Sequence, residues 1–279
     1  MKTGRAVSLV ICLLLLPACS NTFIYNQLDW VIPWYVGDYV DLTRAQKKNL
    51  KAELKSLLRW HRAEELASYA RILDQIEQDL QQPVTGATVQ SWADLALAAW
   101  ERVEARMLPL AFEVGAGLSD QQMQGFIDKL WEQQEEFEEE YLERDDAEYI
   151  EDGYEALEEN IHDFLGRLSP EQKQLLQLAA ESLRRFDYAW LEERRAWLEE
   201  LQVLLGRESG WQQAIRDAIK TRAQARDTRY SEEYLYNQGI INGALAGALN
   251  LRSDKQSARL QRALGRFRKD LNTLVAQAH

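Results

Sequence analysis

A five-residue pattern that begins α-helices recurs along the chain and limits what it can fold into. The pattern Leu-Ser/Thr-x-x-Gln stands at 42–46, 118–122 and 168–172, and its core returns at 253–256. The hydroxyl caps the N3 amide, the Gln side chain caps the N-cap amide, and the leading Leu can pack on the first turn. Leucines follow at three- and four-residue steps, and no run alternates β-branched and polar residues. The sequence therefore predicts an all-α fold without a sheet.

Helix-breaking residues divide the chain after residue 42. They lie at Pro83–Gly86, Pro109, Gly115–Gly117, Gly166, 206–210 and Asn250–Ser253. The implied helices are 43–81, 88–114, 119–165, 169–205, 211–236 (with an extension to 249) and 253–276. Asp145-Asp146 and Gly153 are candidate points for a kink or split in the third. We expect one elongated bundle of about six antiparallel helices over residues 43–279.

The N-terminus has the pattern of a signal peptide over residues 1–18. Lys2 and Arg5 precede an eleven-residue apolar run, which is too short to span a bilayer. The following Leu16-Pro17-Ala18-Cys19 resembles the lipobox of bacterial lipoproteins, which implies cleavage before Cys19 and its acylation, including by palmitate. Ser20 resembles the residue found in lipoproteins sent to the outer membrane. The resemblance implies a periplasm-facing protein whose partner is the lipid bilayer, reached through acylated Cys19; an ordinary secretory signal is the alternative.

Charge and cysteine content exclude several function classes. The formal charge is −12, and loss of Lys2 and Arg5 with the signal peptide makes it −14. Such acidity argues against a nucleic-acid partner, because phosphate neutralisation needs a basic surface. Cys19 is the only Cys after cleavage, and the chain has three His, so neither cysteine chemistry nor a zinc cluster is expected. We expect no metal and no cofactor.

The excess of acidic residues is confined to residues 132–200, the acidic region. It holds 23 acids against 7 bases, and Glu132–Glu159 contains 15 of these acids with Arg144 as the one base. One interpretation is a binding face for cations or a basic partner. The favoured interpretation is a solvated helix face, partly offset by the basic helices at 44–62 and 252–269.

Residues 23–40 contain six aromatic side chains and almost no charge. Amphipathic rings suit both bilayer interfaces and protein grooves. The segment is therefore either a membrane-apposed or partner-binding arm or, the favoured alternative, a strap (residues 19–42) that packs its rings on the bundle. The candidate binding residues are Tyr25, Asp29, Trp30, Trp34, Tyr35, Tyr39 and His61. His61 is in phase with Leu50 and Leu54, and we expect it to be buried and bonded to a carboxylate.

Two resemblances bear on family membership. The block Tyr25-Asn26-Gln27-Leu28-Asp29-Trp30, with Pro33-Trp34-Tyr35 and Trp60-His61-Arg62 after it, resembles a family of uncharacterised Gram-negative lipoproteins with a domain of unknown function. The Leu-Thr-x-x-Gln pattern is also similar to that of small helical periplasmic proteins, which include envelope-stress chaperones. The first resemblance implies a lipoprotein without an assigned activity, and it supplies no catalytic residues.

Two further spacings are of kinds found at helix contacts or metal sites. Gly239, Gly243 and Gly247 lie four residues apart in an uncharged stretch, and we expect them to let two helices approach closely. Glu159-Asn160-Ile161-His162 has the Glu-x-x-His spacing of di-iron bundles, but such sites need the motif twice.

No catalytic motif of the hydrolase, nucleotide-binding or metalloprotease types occurs in the sequence. The expected function is therefore a binding, structural or chaperone-like role in the cell envelope, with an envelope protein as partner and no enzymatic activity. The alternative is a carboxylate-dependent hydrolase acting on cell-envelope material.

Overall fold

The computed structural model describes residues 21–225 and 228–277, so the predicted signal peptide and Cys19 lie outside the described residues. The described residues form α-helices and no strand, which confirms the all-α prediction. In chain order the helices are α1 Asn21–Asn26, α2 Leu28–Gly37, α3 Arg44–Trp60, α4 Leu66–Asp79, α5 Gly86–Ala116, α6 Asp120–Leu142, α7 Asp146–Leu165, α8 Pro170–Glu181, α9 Asp187–Leu204, α10 Trp211–Ala225, α11 Thr228–Asn250 and α12 Asp254–Ala276. A π-helical turn, His61–Glu65, joins α3 to α4.

The chain forms more and shorter helices than the six predicted. The predicted helix 119–165 is split because Asp145 and Glu148 form a capping box that begins α7. The predicted helix 169–205 is split because the buried side chain of Asn237 bonds the backbone of Arg184. Its Oδ1 accepts from the Arg184 amide at 2.8 Å, and its Nδ2 donates to the carbonyl at 2.7 Å. Asn237 lies 53 residues away, so the sequence around the break could not reveal it.

The glutamines of the repeated cap pattern bond each other across the fold. Gln46 Nε2 donates to Gln122 Oε1 at 3.0 Å, and Gln122 Nε2 donates to Gln46 Oε1 at 2.9 Å. Their Nε2 atoms also donate to the carbonyls of Gly117 and Asp41, just before the two caps. Each Oε1 meanwhile accepts from its own N-cap amide. The starts of α3 and α6 are thereby joined.

The same arrangement occurs at the starts of α8 and α12. Gln256 Nε2 donates to Gln172 Oε1 at 2.9 Å and to the Arg167 carbonyl, while Gln172 Nε2 donates to the Ala248 carbonyl at 2.9 Å. A carboxylate could cap its own helix but could not donate to the partner. The pairing therefore explains why Gln recurs at the fourth place of the pattern.

Three clusters of buried apolar side chains form the core. One joins α3, α5, α6 and α10 through residues such as Leu54, Phe112 and Ile127. A second lies among α7, α8, α11 and α12, with Leu165 and Leu176 at its centre. The third places Leu66, Leu271 and Leu274 against Tyr25 and Tyr69, so that α1 contacts the bundle. No helix among the described residues combines the length and apolar character that crossing a bilayer requires.

Of the three regularly spaced glycines in α11, one lies where a side chain would not fit. A Cβ at Gly247 would lie 2.6 Å from Leu175 Cδ2, so a side chain cannot fit there without movement of Leu175. A Cβ at Gly239 or Gly243 would meet nothing within 4 Å. The expectation is confirmed for Gly247 and wrong for Gly239. At Gly243 the start of α5 does approach closely, since a Cβ on Gly86 would lie 3.5 Å from the Gly243 nitrogen, but a side chain on Gly243 itself would not obstruct that approach.

Candidate functional site

The N-terminal helices α1 and α2 lie on the bundle beside α12 and α3. Tyr25 on α1 has its hydroxyl 2.8 Å from His61 Nδ1. The neighbouring Asn26 Oδ1 accepts from Arg62 Nη2 at 2.7 Å, and the Arg62 guanidinium lies 5.1 Å from the centre of the Tyr25 ring. These contacts fix α1 to the π-helical turn.

His61 lies between two tyrosine hydroxyls instead of beside a carboxylate. Its Nδ1 faces Tyr25, and its Nε2 is 3.2 Å from the Tyr69 hydroxyl. Burial lowers the pKa of His61 to about 4 and raises the pKa of Tyr25 and Tyr69 to about 12. The three rings are therefore uncharged at neutral pH. The predicted carboxylate partner is wrong, because Glu65 is bonded elsewhere.

Glu65 is only 4% exposed and forms a two-pronged ion pair with Arg102. Its Oε1 and Oε2 accept from Arg102 Nε at 2.8 Å and from Nη2 at 2.9 Å. Arg102 Nη2 also donates to the Ser68 hydroxyl at 3.2 Å. Helical π-turns are frequent at functional sites. In this turn His61 and Glu65 have partners within the protein, whereas Arg62 Nε is buried and has no hydrogen-bond partner among the described residues. The cluster therefore attaches α1 and α5 to the π-helical turn.

A groove of about 640 Å³ lies between α2 and α3. Trp30, Pro33 and Trp34 form its α2 side, and basic residues of α3 form the other. Trp30 is 58% exposed and Trp34 is 62% exposed, although Pro33 between them is buried. Single exposed apolar side chains are common on protein surfaces, but neighbouring ones that form a patch rimmed by polar residues are typical of interaction sites.

The α3 side of the groove belongs to a row of cations, here called the basic stripe. Its members recur at three- and four-residue steps, which places them on one face of the helix. They are Arg44, Lys47, Lys48, Lys51, Lys55 and Arg59. All six are exposed, while Leu50 and Leu54 are buried in the core. Among the ion pairs between described residues, none includes a member of the stripe.

A smaller groove of about 210 Å³ shares Lys55 with the first. Tyr25, Asn26 and Asp29 line it on one side, and Lys55 and three further residues of the α3 helix and π-turn line the other. Asp29 is the only acidic side chain that lines either of these grooves. No group of three His, Cys, Asp or Glu residues within the described ranges is arranged to hold a metal.

The remaining predicted residues, Tyr35 and Tyr39, form a separate pair at the end of α2. Their hydroxyls lie 2.8 Å apart, and Tyr39 also accepts from Gln133 Nε2 of α6 at 2.8 Å. The hydrogen bond to Tyr39 raises the pKa of Tyr35 to about 12. The seven predicted residues thus fall in three neighbouring places along α1 and α2. Sequence reasoning missed Tyr69 and the basic stripe, although the spacing of the lysines signals one helix face.

Comparison with known proteins gives one match. A model of a family of unknown function, DUF6279, matches residues 38–234. The chain belongs to this family. No curated protein and no solved structure matches the chain. The DUF6279 match begins after the Tyr25–Trp30 block, so the lipoprotein resemblance stays a prediction. The basic stripe lies inside the matched residues, whereas Trp30 and Trp34 precede them.

The acidic region of this DUF6279 protein forms its ion pairs largely within itself. Arg185 Nη2 and Arg144 Nη2 lie 2.9 and 3.1 Å from Oδ2 of the buried Asp187. Lys173 of α8 forms an ion pair with Glu158 of the neighbouring α7. No ion pair between described residues joins this region to 44–62 or 252–269. The expected offset by those basic helices is thus not made through direct ion pairs.

Proposed function

We propose that this protein is a lipoprotein, held at the outer membrane by acylated Cys19 and facing the periplasm, with a binding, structural or chaperone-like role. One observation carries the anchor: Leu16-Pro17-Ala18-Cys19 resembles a lipobox. The first helices after Cys19 are fixed to the bundle through Tyr25, Asn26 and Tyr39. An acyl anchor two residues before α1 would therefore keep the α1 side of the bundle close to the membrane.

The two interpretations of the aromatic segment are compatible in this arrangement. Tyr25 and Tyr39 attach the segment to the bundle, while Phe23, Trp30 and Trp34 remain exposed. Exposed aromatic rings close to a lipid anchor suit the interface between headgroups and acyl chains. The segment would then serve as an attachment on one side and a contact surface on the other.

The hydrolase alternative needs two carboxylates that converge in a pocket. The two grooves at α2 and α3 are lined mainly by tryptophans and cations, and Asp29 is their one carboxylate. This lining favours the binding of an anionic or amphipathic surface. It lends no support to hydrolysis.

Metabolic labelling tests the anchor. Gram-negative cells that express the chain would be fed an alkyne palmitate analogue, and the labelled protein would be followed through membrane fractionation. We expect label and outer-membrane fractionation for the wild type, and loss of both in Cys19→Ala. Cys12→Ala is the matched control, because Cys12 lies in the predicted signal peptide and should not affect labelling. An unlabelled wild type, or a labelled Cys19→Ala variant, would contradict the proposal.

The binding role is tested by crosslinking in intact cells. The lipidated wild type should enrich a specific envelope protein relative to an equal amount of the Cys19→Ala variant. Absence of any enriched envelope protein would argue against a protein partner and would leave a structural role.

A further inference from the structure

We propose that the face formed by Trp30, Trp34 and the basic stripe docks on a bilayer that contains anionic phospholipids. This face is called the α2–α3 face below. The inference rests on the proposed function only in placing the protein at a membrane. Its chemistry stands on the described residues and is tested without the lipid anchor.

The charge of the α2–α3 face is opposite to that of the chain as a whole. The chain carries −12, yet the basic stripe places six exposed cations on one side of a single helix. None of them is in an ion pair with a described residue, so no ion pair within the described part of the chain must break before they meet lipid phosphates. Basic side chains near an anionic bilayer are attracted to it over roughly a Debye length. The acidic region at 132–200 would be repelled. Helix α12 also carries exposed cations, Lys255, Arg259, Arg262, Arg266 and Lys269, but it contains no tryptophan, so the α2–α3 face is the one that combines cations with exposed indole rings.

Trp30 and Trp34 differ from the other tryptophans of the described residues in exposure, since both rings are more than half exposed. Trp60, Trp92 and Trp131 donate their indole N–H to Glu64, Asp79 and Gln202. No such bond to a described residue is formed by Trp30 or Trp34, nor by the less exposed Trp100, Trp190, Trp197 and Trp211. An indole with an apolar ring and a free N–H is suited to the headgroup level of a bilayer.

The position of the face in the chain adds a third argument. Cys19 precedes Asn21 of α1 by two residues, and α1 and α2 are attached to the bundle beside α3. An acyl chain at Cys19 would hold the α1–α3 side of the bundle at the membrane surface. The α2–α3 face would then lie beside the anchor, where its cations and tryptophans can meet the bilayer.

The test uses the chain from residue 19 with Cys19→Ser, so that no acyl group is present. Binding to sucrose-loaded vesicles would be measured by sedimentation, with mixed phosphatidylglycerol–phosphatidylcholine vesicles and with phosphatidylcholine alone. We expect binding to the mixed vesicles, little binding to phosphatidylcholine, and release from the mixed vesicles by about 0.5 M NaCl, at which the Debye length is only a few Å.

Two variants that each remove three positive charges distinguish an effect of the α2–α3 face from an effect of the net charge of the chain. The first replaces Lys47, Lys48 and Lys51 with Gln. The control replaces Lys220, Lys255 and Arg262, which are also exposed and outside the ion pairs between described residues. Each lysine near an anionic surface strengthens binding about five-fold, so the first variant should bind on the order of 100-fold more weakly. The control should stay close to wild type.

A double variant, Trp30→Ser with Trp34→Ser, tests the aromatic part. It should weaken binding at least several-fold, and because both rings are exposed, its thermal unfolding midpoint should match the wild type. The proposal is overturned if the wild-type chain binds neither kind of vesicle or binds both equally. It is also overturned if the Lys47, Lys48 and Lys51 variant and the control variant lose the same affinity. Palmitate labelling would be unaffected by any of these results, so failure of the face and failure of the anchor are distinguishable.

Discussion

The basic stripe and the acidic region use charge in opposite ways. In the acidic region, Arg144 and Arg185 converge on Asp187, which is 5% exposed and accepts from both. In the basic stripe six cations stand in solvent beside two exposed tryptophans. The comparison shows that the location of a charge excess does not by itself identify a binding surface. The difference lies in the partners of the cations: Arg144 and Arg185 share the buried carboxylate of Asp187, whereas no member of the basic stripe is in an ion pair with a described residue.

Removal of Asp187 should have the largest effect on the acidic region. In Asp187→Ala the guanidinium groups of Arg144 and Arg185, each 17% exposed, would lose a shared carboxylate. Breaking a buried ion pair from one side typically costs 3–5 kcal/mol, so we expect a loss of about 3 kcal/mol or more in the free energy of unfolding. Urea denaturation measures it.

Asp152→Ala is the matched control for this prediction. Asp152 also pairs with Arg144, at 2.6 Å, but its side chain is 53% exposed. Exposed pairs contribute about 1 kcal/mol or less. If the two variants lost equal stability, the distinction between buried and exposed charge in this region would fail.

Replacing a paired glutamine with glutamate tests how much free energy of unfolding is lost when a charge without a hydrogen-bond donor is placed at an uncharged site. Gln172→Glu keeps the cap on Ser169 but loses the donor to the Ala248 carbonyl, at a site with 0% exposure. Burying such a group should cost about 3 kcal/mol. Gln46→Glu removes the same type of bonds at a half-buried site and should cost about 1 kcal/mol. Equal losses in urea denaturation would show that the pairs do not differ in burial as described.

His61 should make the attachment of α1 sensitive to acid. Its pKa is about 4 in the folded chain and about 6.5 when unfolded, so the unfolded state binds the proton first. Its contribution is fully present above pH 6.5 and is lost as the pH falls towards 4, by up to about 3 kcal/mol. The free energy of unfolding should therefore fall more steeply with acidification in the wild type than in His61→Gln. Parallel pH profiles would contradict the buried neutral histidine.

Much of the fold could be predicted because helix starts are local. The capping boxes at Thr43, Ser119, Ser169 and Ser253 all form as their sequences predict. The pairing of their glutamines could not be predicted, because the partners are separated by 76 and 84 residues. The break at 182–186 escaped prediction for the same reason, since its cause is Asn237.

The positions of the aromatic residues could be read from the sequence but their arrangement could not, and their role as a binding site stays a prediction. The aromatic residues of α1 and α2 were identified from composition, yet their division into attached and exposed rings depends on partners such as His61 and Gln133. The lysines of α3 were visible at helical spacing. Whether they were paired with the acidic region depended on tertiary contacts that no local pattern contains.

The most direct test of the account uses the lipidated protein in anionic vesicles. A fluorophore would be attached at Lys48→Cys on the α2–α3 face or at Lys255→Cys on α12. Asp270 of α12 contacts Thr22 of α1, and Lys255 lies fifteen residues before it, about 22 Å along the helix. Cys19 is acylated in the proposal, so the dye has one attachment site. Headgroup spin-labelled lipids should quench the dye at 48 strongly and the dye at 255 little. Equal quenching at the two positions, or none at 48, would contradict membrane docking through the α2–α3 face.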